Sequence, residues 1–253
     1  MTRAATPAPQ AVAAMTAMEL RLALRRGENL FATIVIPTIV LVLFSSIAIF
    51  PTGTSRGVDF LLPGTIALAI VATSLVSLGI TTAYDRSYGV LKRLGGSPLS
   101  RGELVAARVL AILVIEAIQI ALLVAVAVLA LGWTAGPGAS PVLAVVAILL
   151  GTAAFAGLGL WMAGTLRAET VLAFANVLFL AFLVIGGIIV PIDRLPGPLV
   201  AVAAALPAAP LSELLRIAFG AAPAGADVVS PLVLLAAWAV ALLGVASRRF
   251  RWE

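Results

Sequence analysis

The sequence predicts an all-α integral membrane protein, and composition, hydropathy and the length of the apolar runs each support that fold class. Of the 253 residues, 62% are hydrophobic and only 11% are charged, well below the roughly 25% of an ordinary soluble domain. The mean hydropathy is +1.19. Apolar runs of about 20 residues, the length that a helix needs to cross a bilayer, recur along the chain. We therefore expect a bundle of transmembrane helices.

Six apolar runs are predicted to cross the membrane. They cover residues 30–50, 60–83, 105–131, 141–163, 171–190 and 228–246. Pro37 lies inside the first run and is expected to kink it. Residues 1–14 are rich in Ala, Pro and Thr without an apolar period, which predicts a disordered tail. We expect one membrane domain over residues 15–246, followed by a basic tail at residues 247–253.

An amphipathic helix is predicted before the first span. Glu19 and Arg26 lie on one side of its helical wheel. The opposite side carries four apolar residues: Ala13, Ala17, Leu20 and Leu24. This pattern is typical of an interfacial helix that lies along the cytoplasmic surface of the membrane.

The segment before the last span, residues 191–227, is apolar but cannot form one straight helix. Four prolines interrupt it: Pro196, Pro198, Pro207 and Pro210. We expect two short helices that enter the outer leaflet and return. Glu213 should lie close to Arg216, three residues later. The side expected to face apolar surroundings carries Leu211, Leu214, Leu215 and Ala218.

The basic residues predict the orientation of the chain. With the N-terminus in the cytoplasm, thirteen of the sixteen Lys and Arg residues are inside, and only Arg56, Arg194 and Arg216 are outside. The positive-inside rule therefore puts both termini in the cytoplasm. Because the basic residues lie at the ends of apolar runs, the net charge of +5 implies no nucleic-acid partner.

Residue types that are missing exclude several kinds of chemistry. The chain has no Cys and no His, so disulfides, Cys or His metal ligands and Ser-His or Cys-His catalytic pairs are excluded, and we expect no metal site. Its only lysine, Lys92, follows "SYGVL" rather than the glycine-rich turn of a P-loop. We expect no ATP hydrolysis by this chain, so energy must come from a partner chain or an ion gradient.

The stretch "YDRSYGVLKRLGGSPLSRGEL", residues 84–104, combines charge with apolar residues at helical spacing. The side predicted to face membrane or a partner carries Val90, Leu91 and Leu94. The side predicted to face water or acidic groups carries Asp85, Arg86, Lys92 and Arg93. Gly95, Gly96 and Pro98 should end this helix, and Ser100 with Glu103 predicts a capping box that begins the next. The alternative is an orientation signal without a further role.

This stretch resembles the cytoplasmic loop after the second span in ABC-type export permeases, the family of the daunorubicin-resistance, Nod-factor and O-antigen export permeases. Two further segments are similar to that family. "ELRLALRRGENLFATIVIPTIVLVLF" resembles its cytoplasmic helix and first span, and "LPGPLVAVAAALPAAPLSELLR" resembles its outer segment before the last span. The similarity extends over nearly the whole chain.

The resemblance implies a type V ABC exporter in the cytoplasmic membrane of a bacterium. Two permease subunits, identical or different, would form the pathway among membrane lipids. Two separate ATPase subunits would bind beneath and hold ATP and Mg, with no cofactor on this chain. Exported substrates would be drug-like, lipid or lipid-linked.

The helix around residues 86–94 would be the coupling helix that inserts into the ATPase. Tyr84, Asp85 and Ser87 stand where the family more often has a run of Glu and Arg. The implied coupling residues are Tyr84, Asp85, Arg86, Gly89, Val90, Leu91, Lys92, Arg93 and Leu94.

Polar residues within the spans are candidates for the transport pathway. Glu116 and Gln119 lie one turn apart in the third span, where a charged carboxylate costs roughly 2.5 to 3.5 kcal/mol. Such groups more often support helix packing, and a role in the pathway or in proton coupling is the alternative. The resemblance implies that the second and fifth spans line a central cavity at the dimer interface. Their candidate residues are Thr73, Ser74, Ser77 and Thr81, and Asn176, Phe179, Phe182 and Leu183.

Two other function classes are weighed against an export permease. A secondary transporter or channel would use Glu116 as its ion-coupled residue. An intramembrane enzyme is a more distant alternative, because the chain has no HExxH motif, no His to activate a serine and no paired intramembrane aspartates.

Overall fold

The computed structural model describes residues 8–25, 27–46, 57–96, 100–223 and 225–249, and within these ranges it is all-helical with no strand. The helices are α1 (Ala8–Arg25), α2 (Gly27–Ser46), α3 (Gly57–Ile70), α4 (Leu78–Ser87), α5 (Val90–Gly95), α6 (Arg101–Leu131), α7 (Pro141–Thr165), α8 (Ala168–Ile185), α9 (Gly197–Ala205), α10 (Ala208–Ala218) and α11 (Val229–Arg249). A π-helical segment, Val71–Ser77, joins α3 to α4, and a 3-10 turn, Ile192–Arg194, precedes α9.

Five helical stretches are long and apolar enough to cross a membrane. They are Gly57–Ser87, Gly102–Leu131, Pro141–Thr165, Ala168–Ile185 and Val229–Arg248, and a sixth is added if α9 and α10 together form one broken span. The second to sixth predicted spans are therefore confirmed as helices. For the first, α2 covers its start, and residues 47–50 lie outside the described residues.

The fifth predicted span ends earlier than expected. Helix α8 stops at Ile185, whereas the prediction extended it to residue 190. Gly187 has a φ of +70°, a conformation that glycine adopts without steric cost and that ends a helix. A Cβ at Gly186 would lie 2.6 Å from the Cβ of Ala208, so glycine also lets α10 approach this turn.

Helix α1 begins at Ala8, so the predicted disordered tail is wrong for residues 8–14, and residues 1–7 lie outside the described residues. Alanine is the best helix former, and this segment has apolar contacts of its own. Met15 is buried with Ala107 of α6, and Val12 packs against the same cluster. The hydroxyl of Thr16 donates to the carbonyl oxygen of Ala107 at 3.3 Å.

The proline-rich segment forms the two predicted helices. Helices α9 and α10 meet at an angle of 79°. The face of α10 predicted to be apolar is buried, with Leu211, Leu214 and Leu215 each 0% exposed and Ala218 3% exposed. The sequence thus correctly identified the buried face of α10.

Arg216 of α10 makes contacts beyond the one expected with Glu213. Its guanidinium donates to the carbonyl oxygen of Gly187 and lies 3.9 Å from the centre of the Phe60 ring. Glu213, the predicted neighbour of Arg216, is exposed. Because the guanidinium bonds a backbone carbonyl beyond α8, it joins α10 to the turn at residues 186–188. Within its own helix it also interacts electrostatically with Glu213, as predicted, and donates to the Ser212 hydroxyl at 3.4 Å.

Helix α7 lies at the centre of the bundle and packs against α4, α10 and α11. A Cβ at Gly79 of α4 would lie 3.2 Å from the Cα of Gly159 in α7. Two glycines thus bring the α4 and α7 backbones together, as small residues do in membrane helix pairs. The charged stretch found in the sequence begins in the last turn of α4.

Candidate functional site

The charged stretch forms two helices rather than one. Helix α4 ends at Ser87, and α5 begins at Val90, so the predicted continuous helix over residues 86–94 is wrong. Gly89 between them has a φ of +71°, which glycine accepts readily. The backbone therefore turns at Gly89, between the end of α4 and the start of α5. Helix α5 ends at Gly95 as predicted, and residues 97–99 lie outside the described residues.

Leu91 faces the chain itself rather than a partner. Its side chain is 0% exposed and belongs to a buried cluster with Met15 of α1 and Leu104 of α6. Leu94 is half-buried and packs against the same cluster. The prediction that the apolar residues of α5 face outward together is thus wrong for Leu91, because this leucine holds the short helix on the bundle.

The exposed surface of this element is formed by other residues. Tyr88, in the turn, is 74% exposed, and its ring stacks on Tyr84 with the ring centres 5.9 Å apart. Val90 is exposed, as are Lys92 and Arg93. We call Tyr88, Val90, Lys92 and Arg93 the α5 surface. It combines an aromatic ring, one aliphatic side chain and two positive charges.

Two arginines connect this element to the rest of the bundle. The guanidinium of Arg86 donates to the carbonyl oxygen of Leu166, at the end of α7. Arg108 of α6 is only 3% exposed, and its guanidinium lies 2.6 Å from a carboxylate oxygen of Asp85 in α4 and 3.1 Å from one of Glu19 in α1.

The hydroxyl of Thr82 in α4 also accepts a hydrogen bond from Arg108. A buried cation with two carboxylates from different helices joins α1, α4 and α6 at one point. Removing one partner of such a group is costly because it leaves the others buried and uncompensated.

The predicted capping box at the start of α6 is confirmed. The backbone N–H of Ser100 donates to a carboxylate oxygen of Glu103 at 2.7 Å, and the N–H of Glu103 donates to the Ser100 hydroxyl at 3.3 Å. The box satisfies two backbone donors where the third span begins.

Glu116 lies in a sealed polar cluster within the bundle. It is 0% exposed, and its carboxyl accepts hydrogen bonds from the hydroxyls of Ser74 and Thr152, each at 2.5 Å. One turn further along α6, the side-chain oxygen of Gln119 accepts from the Thr73 hydroxyl at 3.1 Å. We call these five residues the sealed cluster. It joins the π-helical segment, α6 and α7 by side-chain hydrogen bonds.

A groove of about 330 Å³ opens between α2, the second span and α8. Its lining is mainly apolar, and three polar side chains reach it. The lining residues are Ile36, Pro37, Ala72, Val76, Ser77, Ile80, Thr81, Leu172, Asn176 and Phe179. A mainly apolar pocket with few polar groups suits an apolar or amphiphilic ligand. We call this site the α2/α8 groove.

The ten predicted pathway residues therefore separate into three sets. Thr73, Ser74, Glu116 and Gln119 belong to the sealed cluster, whereas Ser77, Thr81, Asn176 and Phe179 line the α2/α8 groove. The other two pack in the core: Phe182 is buried edge-on against Phe155, 5.4 Å between ring centres, and Leu183 is half-buried against the same cluster.

The π-helical segment explains why neighbouring polar residues have different surroundings. A π-helix has more residues per turn than an α-helix, so side chains three or four residues apart no longer align as in α-helical geometry. Over Val71–Ser77 this change aligns Ser77 with the groove-lining Ala72 and Val76, while Ser74 points to α6.

Sequence reasoning missed Thr152, Tyr88 and the partners of Arg108. A lone threonine within the apolar α7 run carries no signal of its own, because threonine also bonds its own helix, and Thr152 does so at the Ile148 carbonyl oxygen. Arg108 offered a better signal: it lies inside the third span, more than one turn beyond the cap, where a charged side chain needs a partner.

Comparison with known proteins identifies one family. The family model described as ABC-2 type transporter matches residues 10–219. The matched range begins in α1 and ends one residue after α10, so it contains the α5 surface, the sealed cluster and the α2/α8 groove. A search of curated proteins found no significant match.

Proposed function

The chain belongs to the ABC-2 type transporter family, as a multi-pass membrane permease that pairs with ABC ATPase subunits, and we propose that it exports an amphiphilic substrate. The substrate class is inferred from the α2/α8 groove, whose lining is mainly apolar with three polar side chains. Drug-like molecules, lipids and lipid-linked glycans all combine such surfaces. Export is the direction implied by the resemblance to export permeases, and the predicted cytoplasmic termini would put the α5 end on the side where ATP is available.

The α5 surface is the proposed contact with the ATPase. It lies on the exposed side of a short helix, and its ring, aliphatic side chain and two cations suit a groove with an apolar floor and an acidic rim. The rest of the predicted coupling set lies behind this surface. These residues contact the permease itself, and their proposed role is to hold α5 in position. They are Tyr84, Asp85, Arg86, Leu91 and Leu94.

A movement of α5 would be transmitted to the membrane spans through the contacts of Arg86 and Arg108. The Arg86 bond to Leu166 leads to α7, and Arg108 joins Asp85 to α1 and α6. Because these contacts join α4 to α1, α6 and the end of α7, we infer that α5 and α4 move with the neighbouring helices rather than independently. The pathway would open when ATPase closure displaces this group of helices.

The sealed cluster supports a packing role for Glu116. A coupling residue in an ion-driven transporter must exchange ions with water during the cycle, whereas Glu116 is 0% exposed and bonded to two hydroxyls. These contacts favour the ATP-driven permease over the ion-coupled secondary transporter. They also support two different roles for the polar residues of the second span.

The proposed assembly contains two permeases and two ATPases. Helix α8 lines one wall of the α2/α8 groove and exposes large apolar side chains beside it, including Phe174 at 55% and Val177 at 63%. A second permease against this face would enclose the groove and make it a central cavity. Mass measurement of the complex purified in detergent tests the stoichiometry, and a transport-competent single permease would contradict it.

Transport by proteoliposomes with and without the ATPase subunits tests the function itself. We expect ATP-dependent movement of an amphiphilic substrate that stops when the ATPase is omitted while an ion gradient is maintained. Persistent transport without the ATPase would favour the ion-coupled alternative.

Two variants of α5 test the coupling contact. We expect Val90→Ser combined with Tyr88→Ser to reduce ATPase binding and substrate-stimulated hydrolysis without lowering permease stability, because both side chains are exposed. Leu91→Ser is the matched control: it should lower thermal stability by about 2 kcal/mol or more, as core truncations do. Normal ATPase binding by the Tyr88/Val90 variant would contradict the proposed contact.

A further inference from the structure

Helix α1 presents two faces of different character. One face packs on the bundle through Met15, which is 5% exposed, and through Glu19, whose carboxylate lies 3.1 Å from the Arg108 guanidinium. This contact reverses the expectation from the helical wheel, in which the side with Glu19 faced water. The rotation of α1 about its axis is therefore determined by α6, and the neighbouring side of the helix, with Met18 and Arg21, is left outward.

The outward face combines large apolar side chains with arginines. Met18 is 45% exposed and Leu22 is 37% exposed, and Arg21 and Arg25 are exposed beside them. Together they form a concave site of about 470 Å³, lined by Ala14, Ala17, Met18, Arg21, Leu22 and Arg25. Arg21 and Arg25 are four residues apart, so their side chains lie next to each other on one face.

Among the side chains that the structure describes on this face, the charged ones are Arg21 and Arg25, both positive. Glu19 is the only acidic residue of α1, and its carboxylate is held by Arg108 on the face that packs on the bundle. The two arginines of the site therefore have no carboxylate from their own helix beside them. Helix α2 begins at Gly27, two residues after Arg25, and leads into the first predicted span. This sequence of elements puts the site next to the membrane surface.

We propose that the outward face of α1 is a binding site for an anionic phospholipid. The lipid phosphate lies between Arg21 and Arg25, because guanidinium groups bind phosphate through paired hydrogen bonds. The upper part of an acyl chain covers Met18 and Leu22. An uncharged or zwitterionic headgroup offers no net charge to these arginines, so the site selects anionic lipids. This inference does not depend on transport or on the ATPase.

Selective quenching by spin-labelled lipid tests the site on the full-length chain. The chain has no cysteine, so Ala17→Cys carries a single NBD fluorophore inside the site. The labelled protein is reconstituted without ATPase or substrate in phosphatidylcholine vesicles that contain equal fractions of doxyl-labelled phosphatidylglycerol or phosphatidylcholine. We expect the anionic lipid to quench with an apparent affinity about five- to tenfold higher, the size of effect given by basic residues at a membrane surface.

Charge-matched variants separate this site from a general surface potential. Arg21→Gln with Arg25→Gln should bring the affinity ratio close to one. Arg167→Gln with Arg248→Gln removes the same charge from exposed positions elsewhere and should leave the ratio above about five. Free glycerol phosphate should not compete, because it has no acyl chain for Met18 and Leu22.

Three results would overturn the proposal. Equal quenching by the two lipids in the unmodified site would exclude selectivity. An equal fall in the ratio for both variant pairs would show a delocalised surface charge. Absence of quenching by either lipid, with a shift of NBD emission when the ATPase is added, would assign the face to a protein partner instead.

Discussion

Ser74 and Ser77 lie three residues apart on the second span, yet they have opposite surroundings. Ser74 is 0% exposed and donates to the carboxyl of Glu116. Ser77 is half-buried and lines the open α2/α8 groove. The same residue type thus serves a sealed hydrogen-bond network in one position and an accessible surface in the other. Polarity within a span does not by itself identify a transport pathway.

The surroundings of the two serines differ because the Glu116 carboxyl needs hydrogen-bond partners and the described lining of the groove contains no such group. A carboxyl group within the bilayer needs hydrogen-bond partners from the protein, because lipid provides none. Ser74 and Thr152 supply them to Glu116, so these hydroxyls are committed to helix packing. In the groove, Asn176 donates only to its own helix, at the Leu172 carbonyl oxygen, and no bond there joins two helices among the polar contacts of the described residues.

The largest expected effect is on stability, from Glu116→Leu. The substitution removes the acceptor of the Ser74 hydroxyl, whereas Thr152 can still donate to the Ile148 carbonyl oxygen. Leaving a buried polar group unsatisfied costs about 1–3 kcal/mol. We expect a lower folded yield and a lower thermal unfolding midpoint in detergent, with near-normal transport per folded molecule.

Glu116→Gln is the matched control for this loss. The amide keeps one oxygen acceptor for Ser74, and the Thr152 hydroxyl can accept from the amide while it donates to Ile148 at 2.8 Å. We expect stability within about 1 kcal/mol of the unmodified chain. Loss of transport by Glu116→Gln, with ATP hydrolysis intact, would contradict the packing role and indicate that Glu116 belongs to the transport pathway.

The next effect is on transport, from filling the groove. Ala72 lines the groove at its π-helical wall, and Ala72→Trp should occupy much of the volume. We expect kcat/KM for an amphiphilic substrate to fall about tenfold or more. Val145→Trp, at a position 55% exposed on α7 outside the groove, is the control and should transport normally. Equal activity of the two variants would mean that substrate does not enter this groove.

A smaller effect comes from the two serines themselves. Ser74→Ala removes one donor to Glu116 and should lower stability by about 1 kcal/mol without changing KM. Ser77→Ala should leave the unfolding midpoint unchanged and raise KM for substrates that carry hydrogen-bonding groups. Thermal unfolding and transport kinetics measured on the same preparations check both. If the two variants behaved alike, the division into a sealed cluster and an open groove would be wrong.

The smallest effect is expected from Thr81→Val. The two side chains have nearly the same shape, so the groove keeps its volume and loses one hydroxyl. Loss of one hydrogen bond to the substrate should raise KM about threefold. A purely apolar substrate should show no change in KM. A paired comparison of a polar and an apolar substrate measures this difference, and an equal rise for both would point to altered packing.

Several features followed from sequence patterns alone because their causes are local. Prolines broke the segment before α11 into α9 and α10, and the apolar period of α10 identified its buried face. The Ser100 and Glu103 spacing predicted a cap that forms within four residues. Each of these depends on backbone geometry or on neighbours along one helix, so no information about the rest of the fold was needed.

Other predictions failed where a distant element decided the outcome. The helical wheel of α1 put Glu19 toward water, but α6 provides Arg108 as its partner. Leu91 has the spacing of a docking residue, and the bundle covers it with Met15 and Leu104. Thr152 completes the Glu116 site from a helix whose sequence around it is uniformly apolar. None of these contacts joins residues closer than 13 positions in the chain.

The sequence by itself determined that this protein is a helical membrane permease of a known family, because hydrophobic length, charge placement and short motifs express constraints that act along the chain. Only the tertiary structure decided which polar residues are sealed and which are accessible. That decision depends on how each helix is rotated against its neighbours and on the π-helical segment at Val71–Ser77. Helix rotation is set by close packing between distant residues, such as Gly79 against Gly159, and a single sequence does not record which helices become neighbours.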